Sequence, residues 1–533
     1  MNPFQSFFAF MPQTMLQLPD LHIPDNAQLV LSVGACLIVV GVIVRAHRHK
    51  PESSFPLPPS PPTWRLGGHF LPRRHSSLTI AEWIDEYGPL ITIRSKLERI
   101  IIIGRYKAAV DIMENQGKLT ADRPRMIAAG EMFGGGMGIG FAHWGDRFRR
   151  MRRALHTHLQ PKAAAAYQPL QMSHVKDTVL GILDDPHGDF QKHVITYAAT
   201  TIMKIAYGKT TSTSATDSSV LEIRHFVKTI SAVVRPGAYL VDSIPWLKHL
   251  PWYGRDLRRG FERTKKLNLG QLNRVREQMQ NDVDIGPSFM RYILENRHLY
   301  GLSDTEMAFL GGSFFAAGSE TTSTAICTVL MAAACFPGEQ AQVQAELDAV
   351  IGRHRAPTFA DQQSLPRLQA FISESLRWRP PLPTGALAHR TTQDIIWENY
   401  CIPAGTSIFG NHWAISRDPD AYPEPDAFKP QRWIDEQGRL RDDLTFFPYG
   451  FGRRVCPGQH VAQRSVFINS LLIFWAFQLT LDPTKPLDDM GLMIGEKSDN
   501  PCTIKFETRI PVTELRLMMH NYPDENALRT SSE

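Results

Sequence analysis

Residues 449–458 read YGFGRRVCPG, and no other stretch of the 533-residue chain restricts its fold so narrowly. One cysteine, Cys456, sits among glycines and a proline and follows the arginines 453 and 454. A buried structural thiol needs neither the glycines nor the positive charge. A thiolate that holds a metal needs both, because it must stay deprotonated, be screened from water and accept hydrogen bonds that set its donor strength. Gly452 and Gly458 would let the backbone approach a metal and its macrocycle where a side chain would clash. Arg454 suits a haem propionate. Beyond Pro457 the sequence GQHVAQRSVFINSLLIFWAF reads as a helix whose amino end adds positive potential near the sulfur. Cys456 therefore reads as a candidate thiolate ligand, such as one to haem iron, with a buried free cysteine in a turn as the alternative. The other five cysteines are scattered without a CxxC, which argues against a disulfide framework or a zinc cluster and for reducing surroundings.

The spacing Tyr449, Gly452, Arg454, Cys456, Gly458 resembles the signature of the cytochrome P-450 superfamily, with Tyr449 where the family usually has Phe. The phenol still covers the proximal face, but its hydroxyl asks for a partner. Three further motifs follow the family's order. AAGSETTS, from Ala316, resembles the stretch of a long helix across the distal face of the haem. There Ala317 and Gly318 would leave room for dioxygen, and Glu320 and Thr321 would form the acid–alcohol pair that delivers protons. Thr321 is also placed to bond back to the carbonyl of Ala317. ESLR places Glu374 and Arg377 on one helix face, and FKPQRW supplies Arg432. The resemblance makes this trio a structural lock on the proximal loop, with Gln431 standing where the family often has Glu. HWGDRFRRMRRAL resembles the helix beneath a propionate, with Phe148 in place of the usual Trp. Arg152 and His389 are the implied propionate ligands.

The resemblance covers about residues 60–515. It implies a mainly α fold with a small β region and a buried b-type haem. The residues themselves support that class. LTIAEWIDEYG (78–88) has helical spacing, and PLITIRSKLERIIIIG (89–104) alternates and then turns β-branched, like a strand pair. Long helical stretches occupy 144–210, 217–235, 255–282, 304–335, 339–351 and 365–377. Strand-like pieces lie near 386–410 and 475–510.

LVLSVGACLIVVGVIV (29–44) holds one polar residue, Ser32, and approaches the length that crosses a bilayer. The basic RAHRHK that follows favours the cytoplasmic side. A cleaved signal would need its charges on the other flank and a small-residue cleavage site. The expected organisation is a lumenal segment 1–26, a transmembrane anchor 27–44, a basic and proline-rich hinge 45–62, a catalytic domain 63–520 and a tail 521–533. That makes a single-pass protein of the endoplasmic reticulum membrane with its catalytic domain in the cytosol.

A net charge of +5 gives no reason to expect nucleic acid. Arginines 147, 149, 150, 152 and 153 form a basic cluster that reads equally as a dock for an acidic reductase or as a solvated face. The chain carries no flavin or dinucleotide motif, so the resemblance implies electrons from NADPH through a separate flavoprotein reductase. Met132, Phe133, Phe314, Phe315, Leu387, Met493 and Ile494 are candidates either for an apolar pocket or for plain core. RPGAYLVDSIPWLKHLPWYG (235–254), with Trp246 and Trp252, resembles the membrane-facing entrance of microsomal members, and its wording is closest to fungal secondary-metabolism enzymes. The implied reaction inserts one oxygen atom from dioxygen into an apolar substrate. Desaturation, ring coupling or rearrangement on the same haem is the alternative, and a non-catalytic haem-binding membrane protein the remote one.

Overall fold

The long helical run 144–210 does not fold as one rod. In the computed structural model it is divided at Pro161, Pro169 and the turn around Gly188. Proline fits the first turn of a helix but not its interior, so each proline opens a new segment. The structure describes residues 54–523 except 64–67, 96–97, 282–285, 386, 497 and 499–500, together with Ser32 and Gly34. The anchor expected at 27–44 otherwise lies outside the described residues. Among those described, no single helix is long and apolar enough to cross a membrane.

The chain divides into Met1–Ser54 and Phe55–Glu533. The second unit starts eight residues before the expected boundary. Pro59 O and Pro58 O accept hydrogen bonds from Thr92 N and Thr92 Oγ1 (2.7 and 2.8 Å), and Pro56 O accepts from Cys401 N. Residues 55–62 are therefore part of the body. Proline lacks a donor but keeps its carbonyl, which suits it to a sheet margin.

The body is mainly helical. After α1 (Ser76–Tyr87), β1 (Leu90–Ser95) and β2 (Glu98–Ile103) form the expected antiparallel pair. There follow α2 (Asp146–Leu159), α3 (Gln168–Asp184), α4 (Phe190–Tyr207), α5 (Ser218–Val233) and α6 (Arg255–Gln280). The long α7 (Asp304–Cys335), α8 (Pro337–Val350) and α9 (Pro366–Trp378) come next. Then come β3 (His389–Arg390), β4 (Ile395–Trp397), β5 (Tyr400–Ile402) and β6 (Ser407–Gly410). The cysteine loop leads into α10 (Gln459–Ala476), and β7 (Phe477–Leu481) pairs with β8 (Ile504–Thr508). The main sheet has the order β1-β2-β6-β3, with β2 and β6 parallel, and β4–β5 is a separate hairpin.

Helix α7 is the axle. Its 32 residues span about 48 Å at 1.5 Å per residue. A capping box between Ser303 and Glu306 starts it, each satisfying the other's backbone N–H. Its carboxy-terminal half lies in one apolar core with α3, α10 and β7–β8. Its amino-terminal half lies in another with α4, α6 and residues 289–293.

Candidate active site

The cysteine loop is held from behind. Cys456 N donates to Tyr449 O at 2.9 Å, which closes the loop on itself. Gly450 and Gly452 have φ of +81° and +51°, conformations open to glycine without strain. At Gly452 a Cβ would lie 2.6 Å from Met113 O, and its N–H donates to Glu114 Oε2 at 2.6 Å. The chain segment 113–117 by itself requires this glycine. At Gly458 a Cβ would sit 3.9 Å from Cys456 Sγ, an ordinary contact.

Burial pushes the Cys456 thiol up, while the N–H groups of Gly458 and Gln459 and the charge of Arg152 act the other way. Arg152 Nη2 donates to Val455 O at 2.6 Å, one residue from the sulfur. Burial also raises the Tyr449 phenol, reinforced by the neighbouring cysteine.

Around this loop the structure gathers arginines. Arg454 donates through Nε to Ala121 O (2.6 Å) and through Nη2 to Ala142 O (2.7 Å). His389 Nδ1 lies 2.8 Å from Thr120 O. Arg123, absent from the motif reading, donates to Gly140 O, Leu387 O and Ala388 O. Burial, with the charge of Arg454, lowers Arg123 to about 9, and burial lowers Arg454 to about 10 and His389 to about 3. Asp122 is the nearby carboxylate, and it is shared with Trp144 N, His143 and Arg390. The hydrogen bonds of Arg123, Arg152 and Arg454 to the described residues all go to carbonyls and none to a carboxylate, which suits a ligand bearing two carboxylates. Arg123 Nη2, Arg454 Nη1 and His389 Nε2 have no hydrogen bond to the described residues. These donors, beside a recessed cysteine, fit the propionates of a haem. The signal for Arg123 in the sequence was slight: one of two arginines in TADRPRM, with no spacing to mark it.

Phe148 occupies the position where Trp was usual. It is buried, and the Arg454 guanidinium lies 3.7 Å from its ring centroid. The basic cluster on α2 separates by contact. Arg147 bonds Glu306 at 2.7 Å and Gly136 O, Arg149 pairs with Asp146, Arg152 turns to the cysteine loop, and Arg153 faces solvent.

On α7, Thr321 Oγ1 donates to Ala317 O at 2.7 Å. Ala317 is exposed, and Ser313 and Thr321 are half-buried, among neighbours that are core. These positions, four apart, mark one open stripe on an otherwise enclosed helix. Gly318 lies to one side of it. A Cβ there would come 2.8 Å from Ile202 Cδ1, so this glycine serves the contact with α4. Phe314 and Phe315, offered as pocket candidates, belong to the core: Phe314 stacks on Phe289 at 5.4 Å, and Phe315 is fully enclosed. The residue of that open stripe that the sequence reading missed is Ser313, whose Oγ donates to Phe309 O at 2.8 Å. Met132 and Phe133 join a cluster with Val233, Leu247 and Leu257, while Met493 is fully buried. Leu387 and Ile494 are half-buried.

Glu374 accepts from Arg377 Nε and Nη2 (2.8 Å each), Arg432 Nε (3.2 Å), Lys429 N (2.7 Å) and Trp433 Nε1 (2.9 Å). Arg377 also donates to Ser416 O, Pro425 O and Ala427 O. No acceptor or donor of the pair is wasted, which lets it be wholly enclosed.

A helical body with a recessed cysteine, arginines gathered beside it and an open stripe on its longest helix fits a haem-thiolate protein. The family model for Cytochrome P450 matches residues 57–502, and this chain belongs to that family. Cytochrome P450 monooxygenase 113 of Postia placenta is 44% identical over 496 residues, covering 92% of this chain and all of the relative. Cytochrome P450 monooxygenase 64 of the same fungus is 44% identical over 491 residues, covering 92% and 98%. A monooxygenase of Armillaria gallica is 34% identical over 435 residues, covering 79% and 83%. The protein is a monooxygenase of the oxidoreductase class. The family uses dioxygen, a redox partner and a haem held through a cysteine thiolate.

Proposed function

We propose that the chain is a membrane-anchored monooxygenase with b-type haem that inserts one oxygen atom from dioxygen into an apolar substrate in fungal secondary metabolism. Electrons come from NADPH through a separate flavoprotein reductase. The observation that carries the reading is the group of Arg123, Arg152 and Arg454 beside Cys456, whose hydrogen bonds to the described residues all go to carbonyls. Cys456 would hold the iron, and Arg123, Arg454, Arg152 and His389 the propionates. Once bound, the haem supplies the activation of dioxygen and the transfer of its oxygen atom.

The chain's own residues bind, orient and protonate. Ala317 offers a side chain too small to crowd dioxygen. Thr321 is held by its back-bond to Ala317 O, and with Glu320 it passes protons from solvent. Leu387, Ile494 and the aliphatic cluster around Met132 favour an apolar substrate and exclude water.

The apolar run 29–44 with its basic flank supports single-pass anchoring in the endoplasmic reticulum membrane. Exposed Phe70, Trp246 and Trp252 on the body suit a lipid interface. Arg153 and Arg453, both exposed, are the surface charges offered to a reductase. The test uses membranes containing the chain and a reductase, supplied with NADPH, labelled dioxygen and a panel of polyketides, terpenoids and indole alkaloids. A product carrying the label supports the proposal. Products lighter by two hydrogens and free of label overturn it in favour of desaturation or coupling.

A further inference from the structure

Residues 490–496 form a turn that buries Met493 completely and leaves Ile494 half-buried. Three distant segments hold it. Ile494 N donates to Pro381 O at 2.9 Å, just beyond α9. Gly495, at φ +93°, accepts at its carbonyl from Arg235 Nη2 (3.3 Å), just beyond α5. Glu496 O accepts from Arg74 Nη2 at 3.0 Å, just ahead of α1. The Glu496 side chain adds a contact of another kind. The residue is 3% exposed, and its Oε2 accepts from His75 N at 2.7 Å. His75 Nδ1 lies 3.7 Å from the same oxygen and is itself enclosed without a hydrogen bond. A carboxylate so enclosed is costly unless it is partnered. His75 in turn holds φ of +60°, a conformation that a residue with a Cβ seldom takes. Its carbonyl opens α1 by accepting from Leu78 N and Thr79 N. Backbone strain of this kind persists only where the surroundings over-determine it. Here a buried acid from the far end of the chain does so.

We infer that Glu496 is a positioning residue for substrate specificity: through His75 it fixes the turn that presents Ile494, so that the start of α1 sets how bulky a substrate the pocket admits. The inference rests on the proposed place of Ile494 in that pocket. Glu496 does not touch the substrate. It acts on Ile494, two residues away, by removing the freedom of the turn to pivot about the Ile494–Pro381 hydrogen bond. Met493, enclosed on one side, stays where the core puts it, so Ile494–Glu496 is the part that a lost carboxylate would release. A ligand too small to reach Ile494 is indifferent to that release. A bulky ligand that presses on Ile494 is not. This contrast separates positioning from a general loss of fold, which weakens every ligand alike.

The test uses the full-length holoenzyme in membranes and titrates it with two haem-binding azoles, imidazole and the triaryl-bearing clotrimazole, read from the haem difference spectrum. The ferrous–carbonyl spectrum checks that each variant holds its haem. Glu496→Ala is expected to change the clotrimazole Kd at least threefold and to leave the imidazole Kd at the parental value. Glu496→Gln, which keeps an acceptor for His75 N, is expected to stay within twofold of the parent for both. If Glu496→Ala destroys the carbonyl spectrum, Arg235→Met, which releases the turn at Gly495 O, takes its place with the same expectation. A parental clotrimazole Kd in these variants beside an altered one in Ile494→Ala overturns the inference alone, as does an equal change for both azoles or a change as large in Glu496→Gln. A parental clotrimazole Kd in Ile494→Ala itself overturns the placing of Ile494 in the pocket, and the inference with it.

Discussion

The guanidinium of Arg454 lies 3.7 Å from the ring centroid of Phe148. The ring supplies a π face where an indole would also have supplied an N–H, and a desolvated cation gains about 2 kcal/mol from such a face. Phe148→Leu keeps an apolar side chain of somewhat smaller volume and removes the face. It should cost about 1–2 kcal/mol and speed haem loss. Phe148→Ala should cost about 3–5 kcal/mol. Transfer of haem to apomyoglobin and urea unfolding read the two effects, and a Leu variant that retains haem as the parent does would refute the role of the ring.

Glu374 is a fully buried acid on which Arg377 and Arg432 converge. Glu374→Ala strands both guanidinium groups in the interior and should cost about 3–5 kcal/mol. Arg432→Ala should cost less, since its contact is longer and partly open to water. Denaturant midpoints for both variants check the order, and activity should fall only as folded protein falls.

Burial holds His412 at about 4 and His389 at about 3. Both are neutral when folded, so the unfolded chain takes up protons first as pH drops below its free value of about 6.5. Stability is complete above about 6.5 and declines as pH falls toward about 4, by about 1.4 kcal/mol per unit for each group. Urea unfolding at pH 7.0 and 5.5 should show the loss. His412→Asn, at a site where Nδ1 has no hydrogen-bond partner, should flatten the slope by one group's share.

Ser313 and Phe315 are two residues apart on α7 and face different surroundings. Ser313→Phe should change product distribution, or abolish turnover of bulky substrates, with the fold intact. Phe315→Ala should cost about 3–5 kcal/mol of stability and leave the product pattern of surviving enzyme unchanged. Product profiles and melting curves separate the two.

Replacing Cys456 with Ser should remove the thiolate signature of the ferrous–carbonyl complex while circular dichroism stays close to the parent. A retained signature would send the assignment to another ligand.

Local chemistry was legible in the chain. Cys456 announces itself because glycine conformations and cation spacing in one loop are properties of adjacent residues. The β1–β2 pair and the span of α7 follow from period alone, as does the placing of Glu374 and Arg377 on one face. What a side chain meets across the fold was not legible. Gly318 and Gly452 read as room for a ligand, and the sequence did not show that Ile202 and Met113 also press on them. Phe314 and Phe315 border a motif, yet a turn of about 100° per residue sends them into the core while Ser313 and Ala317 stay on the open stripe. Arg123 joins Arg454 and His389, and Glu496 reaches His75, only because loops and helices distant in sequence are packed together. Backbone period and turn chemistry are short-range and written residue by residue. Burial, charge balance and partner identity are sums over neighbours, which tertiary packing alone brings together.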